Sequence, residues 1–92
     1  MPIPNKKERE LRALREKCLA KRDAIREKLA GRSFSSIEDY EYDSFYALYA
    51  EAARLSAEVA DKSEGDEARM YADLRDVCSK RLNQLAKKKK YN

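Results

Sequence analysis

The strongest constraint on this chain is where its helix breakers fall. Both prolines lie within the first four positions, at Pro2 and Pro4, and the two glycines stand alone in the interior, at Gly31 and Gly65. Between these breaks run three long stretches dominated by Ala, Leu, Lys, Arg and Glu, the residues that lose least on entering a helix. With 92 residues the chain has room for one core only. The three stretches must therefore bury their apolar faces against one another or against a partner.

Each stretch carries a stripe at helical spacing. The first, about residues 5–30, starts at Pro4 and Asn5 and places Leu11, Leu14, Cys18, Ile25 and Leu29 on one side, with Arg22 interrupting the line. Ala30, Gly31 and Arg32 end it, because Gly tolerates the left-handed conformation of a helix C-terminus and Arg complements the dipole there. The second, about residues 37–62, is announced by two overlapping capping-box patterns, Ser35 with Glu38 and Ser36 with Asp39. Phe45, Leu48, Ala52, Leu55 and Val59 repeat along it at alternating spacings of three and four. Tyr42, Tyr46, Tyr49, Ala53 and Ala60 flank that line, so its apolar arc is wide enough to touch two neighbours.

The third stretch, about residues 66–87, follows Gly65 with Asp66 or Ser63 as its cap and carries Met70, Tyr71, Leu74, Val77, Cys78, Leu82 and Leu85. Beyond it a lysine run leads into a basic tail, residues 87–92, expected to fray, as a short arm over residues 1–4 precedes the first helix. Similar lengths and short connections predict an all-α fold, an antiparallel up-down-up three-helix bundle. An extended helical hairpin completed within an assembly is the competing architecture. The stripes are thin for a free-standing domain, which favours self-association or a seat on another protein.

The net charge of +4 is unevenly spread. Residues 1–36 hold eleven Lys/Arg against five Asp/Glu, net +6; residues 37–65 hold two against eight, net −6; residues 66–92 hold eight against four, net +4. A basic, acidic, basic order suits a middle helix lying between the outer two, so much of the positive charge is answered internally. The positions open to phosphate or to an acidic protein surface are Arg12, Arg15, Arg22 and Arg26 on the first helix and Lys87, Lys88, Lys89 and Lys90 at the end. Glu8, Glu16, Asp23 and Glu27 stand three or four residues from several of these arginines and offer them ordinary surface ion pairs.

The densest candidate site is aromatic and acidic. Tyr40, Tyr42, Phe45, Tyr46 and Tyr49 fall within ten residues, interleaved with Glu38, Asp39, Glu41 and Asp43. Tyrosine offers a large, rigid contact surface with a polar tip, which suits a protein interface. Tyr40, Tyr42, Tyr46, Tyr49, Glu38 and Asp39 are therefore the candidate partner-binding residues. The carboxylates repel a nucleic-acid backbone and lack the alternation, Gly and terminal Glu of a calcium loop.

Other chemistry is excluded on simpler grounds. The chain has no His, and its two cysteines, Cys18 and Cys78, are sixty residues apart on apolar stripes, which fits neither a zinc site nor a catalytic dyad. No Gly-rich phosphate loop and no apolar run of membrane-spanning length occur, and the first residues lack the apolar segment of a secretory signal. The expectation is a cytoplasmic or otherwise intracellular, non-enzymatic module with no cofactor, metal, membrane or small-molecule substrate. Its partner is another protein or a second copy of itself. The alternative is a small regulator associated with nucleic acid through the first helix and the lysine run. Residues 48–59, Leu-Tyr-Ala-Glu-Ala-Ala-Arg-Leu-Ser-Ala-Glu-Val, resemble the central helix of the small bacterial haemolysin-expression modulators. That likeness spans one helix, has no counterpart to the third, and implies at most a role beside DNA-bound proteins.

Overall fold

A computed structural model of the chain describes residues 5–90, with the backbone alone for Lys89 and Lys90. The expected arm over residues 1–4 and the last two residues of the expected tail lie outside the described residues. Three helices, α1 (Lys6–Leu29), α2 (Tyr42–Lys62) and α3 (Gly65–Lys90), form the expected up-down-up bundle, 55 × 20 × 18 Å in extent.

The start of α1 follows the sequence signal. The Asn5 side-chain oxygen accepts the Glu8 N–H at 2.8 Å, satisfying one of the amides that a helix leaves unpaired at its first turn. Its end uses two successive left-handed residues, Ala30 at φ 52° and Gly31 at φ 81°. Gly31 was the expected one; Ala30 adopts the conformation against its Cβ, at a cost of about 1 kcal/mol.

The link from α1 to α2 differs from the sequence expectation. In place of a helix from residue 37, two single 3-10 turns, Phe34–Ser36 and Asp39–Glu41, precede α2, which starts at Tyr42. Arg32 explains the change. Its Nε donates to the Leu29 carbonyl at 3.1 Å and its guanidinium forks onto both oxygens of Glu41, at 2.9 and 3.2 Å. One Glu41 oxygen also accepts the Glu38 N–H at 2.9 Å, so the capping carboxylate is Glu41 and neither serine signal is used in the way its spacing suggests. The Ser36 hydroxyl instead donates to the Ser33 carbonyl at 2.7 Å. Ile37, between the two turns, is buried.

The second connection is tighter than expected. Only Ser63 and Glu64 separate α2 from α3, which begins on Gly65 at φ 63°. Its helical backbone continues through the lysines to Lys90, where fraying was expected from Lys87.

α2 is the central helix. It packs closely on both neighbours, whereas the backbones of α1 and α3 approach each other less closely. Its buried residues, Tyr42, Phe45, Tyr49, Ala52, Leu55, Ser56 and Val59, meet Ile25 and Cys18 from α1 and Tyr71, Cys78 and Leu85 from α3. Ser56 is tolerated there because its hydroxyl donates to the Ala52 carbonyl one turn back, at 2.7 Å. Two residues expected in the stripe of α3 stand outside the core: Met70 is 53% exposed and Val77 55%.

Phe45 is fully buried at the centre of the cluster that joins all three helices. Phe45→Ala should lower the unfolding free energy by about 3–5 kcal/mol in denaturant titrations. Ala30→Gly should raise it by roughly 0.5–1 kcal/mol, since the left-handed strain is removed and no packing is lost at an exposed position.

Candidate functional site

The residues named from the sequence separate into buried and exposed sets. Tyr42 and Tyr49 are each only 6% exposed and belong to the core, while Tyr40 is 85% and Tyr46 47% exposed. One face of the first α2 turns is thus spent on packing. Tyr49 stacks near Phe45, with ring centroids 6.5 Å apart, and receives Phe34 edge-on at 5.9 Å. Lys88 of α3 lies over the Tyr42 ring at 5.9 Å. Tyr40, Tyr46, Glu38 and Asp39 remain at the surface as a smaller patch than the spacing suggested.

Among the described residues the arginines of α1 make none of the ion pairs three or four residues apart that their spacing offers. Arg15 pairs with Glu67 of α3, and Arg22 reaches only its neighbour Asp23, at 3.5 Å. Arg12 and Arg26 make no ion pair among the described residues. The Arg22 Nε is shielded from solvent and has no acceptor. Lys87 is exposed on the last turns of α3, and the side chains of Lys89 and Lys90 lie outside the described residues.

A second surface was not anticipated. Because α1 and α3 stand apart, a furrow of about 200 Å³ opens between them, lined by Ile25 and Leu29 on one side and by Leu74 and Val77 on the other. Tyr49 of α2 and Cys78 close its floor, and Arg22 and Arg26 form its α1 edge. Tyr49 is also met by Phe34, whose ring lies under the Arg81 guanidinium, 4.4 Å away. Met70 extends the exposed line of Val77 two turns earlier on α3. The seven-residue spacing of Met70 and Val77 was legible in the sequence, but not that this edge of the stripe overshoots the core.

Titration is shifted where burial or pairing demands it. Burial pushes the Cys18 and Cys78 thiols above their ordinary value, which for Cys18 outweighs the opposing charge of Arg22. Burial likewise raises the Tyr49 and Tyr71 phenols. The Glu41 carboxyl is held below its ordinary value, first by the hydrogen bond from Arg32 and then by the Glu38 amide. Among the described residues no three His, Cys, Asp or Glu are grouped to hold a metal ion, and no helix is long and apolar enough to cross a membrane.

Compared with models of known families, with curated proteins and with solved structures, the chain matches none.

Two measurements check these assignments. Both thiols should react slowly with an alkylating reagent at about pH 8 and label rapidly only once denaturant opens the bundle, because each is buried and its thiolate disfavoured. Glu41 is easier to ionise folded than unfolded, so its stabilisation is present above its ordinary value of 4.5 and is lost as pH falls through the lowered one. Melting temperature should therefore fall on acidification from about pH 6 to about pH 3, and Glu41→Gln should flatten part of that decline.

Proposed function

We propose that this chain is a non-enzymatic protein-interaction module that acts by seating another protein on its helix faces. The observation that carries this reading is the apolar furrow between α1 and α3, beside which Met70 and Val77 stand more than half exposed, the two exposed large aliphatic side chains among the described residues. Exposed apolar side chains in a line, rimmed by charge, are the usual composition of a helix-binding surface. Tyr40 and Tyr46, with Glu38 and Asp39, supply a second contact area at the start of α2. The absence of His from the sequence supports the non-enzymatic part of the reading.

Affinity capture from native lysate, with and without nuclease, tests it. A retained protein should survive nuclease treatment and survive replacement of Lys87 and Lys88 by Gln. The double change Met70→Gln with Val77→Gln should weaken its capture about tenfold or more without lowering the melting temperature. Capture of nothing would count against the module, and capture that disappears with nuclease would favour the nucleic-acid alternative.

A further inference from the structure

We infer that the furrow between α1 and α3 takes an amphipathic helix of a partner protein whose edge facing α1 is acidic; this rests on the interaction-module reading and names its partner's chemistry. The shape comes first. Two helices running in the same direction and held apart leave a trough whose walls are ridges of side chains, and a third helix fits such a trough with residues at i, i+3 or i+4, and i+7. Leu74 and Val77 face Ile25 and Leu29 across it, and Met70, exposed seven residues before Val77, continues the apolar line about 10 Å along α3 beyond the furrow itself, near the Arg15–Glu67 pair that ties α3 to α1. The occupant therefore needs two to three turns bearing large aliphatic side chains.

Charge sets its polarity. The α1 edge presents Arg22 and Arg26, with Arg12 further along the same helix, and none of the three is answered by a carboxylate across the furrow. The Arg22 guanidinium is answered only by a long 3.5 Å pair with its neighbour Asp23, so its outward NH groups can still take a carboxylate laid along this edge. On the α3 side, Asp73 is exposed one turn before Val77 and opposes a uniformly anionic ligand such as a nucleic-acid strand. A peptide with carboxylates on one edge and aliphatic residues between them matches both walls.

The test uses fluorescence anisotropy with three labelled 18-residue helical peptides that share one Leu stripe and carry Glu, Gln or Lys along its flank, together with a labelled DNA hairpin. At low ionic strength the Glu peptide should bind roughly five- to tenfold more tightly than the Gln peptide, and the Lys peptide more weakly still; the Glu advantage should shrink in high salt. Arg22→Gln with Arg26→Gln should remove the preference for Glu over Gln. Met70→Gln with Val77→Gln should weaken the Glu and Gln peptides alike, and Arg54→Gln on α2 should change nothing. Unaltered circular-dichroism melts would show that each variant is folded.

Equal affinity for Glu and Gln peptides would overturn the acidic occupant while leaving the furrow a docking site. Binding of no peptide would sink the furrow reading itself. Preference for the DNA hairpin would transfer the arginines to phosphate recognition. Concentration-dependent dimerisation in sedimentation equilibrium, abolished by the Met70 and Val77 changes, would make a second copy of the chain the occupant in place of an acidic partner.

Discussion

The bundle depends on α2 being apolar over an unusually broad arc. Phe45, Ala52 and Val59 are fully enclosed and Leu55 and Tyr49 nearly so, and these residues provide the surface on which both outer helices lie. Neither α1 nor α3 has a comparable arc: α1 buries only Cys18 and Ile25 to the same degree. A chain with one rich helix and two lean ones folds by placing the rich one between the others. The lean pair then has little left with which to close on itself. The furrow between α1 and α3 is thus a result of how apolar residues are shared among the helices, and its position is fixed by α2.

Electrostatics follow the same order. The acidic middle segment does lie between two basic ones, and among the described residues the pairs that tie segments together include Arg32 with Glu41 at the first link and Arg15 with Glu67 between the outer helices. Glu51, Arg54 and Glu58 satisfy one another along α2. The excess positive charge of α1 is consequently left facing outward beside the furrow rather than being absorbed inside the bundle.

Much of this was legible in the sequence because helices report themselves through periodicity and breakers. Gly31 and Gly65 fall at the two breaks, Asn5 caps α1, and the stripe from Phe45 to Val59 is the core line of α2. The start of α2 was misplaced because its deciding contact, Arg32 to Glu41, spans nine residues and competes with serine signals that look better in a short window. The tyrosines were only half resolved, since position on a wheel separates Tyr42 and Tyr49 from Tyr46 but does not say where the neighbouring helices end. Met70 and Val77 were assigned to the core for the same reason: the width of a stripe is visible in one helix, whereas the width its neighbours can cover is a property of the assembled bundle.

Phe34 gives the first connection an unusual reach. It belongs to the link between α1 and α2, yet its ring rests against Tyr49 and beneath Arg81 of α3, so the turn that joins the first two helices is finished by the third. A helical hairpin made from the first two helices alone would leave that ring without the Arg81 guanidinium above it and Tyr49 without its neighbours from α3. The three elements therefore gain their packing together, and the molecule is built to gain or lose its structure in a single cooperative step, with no sturdy two-helix stage on the way.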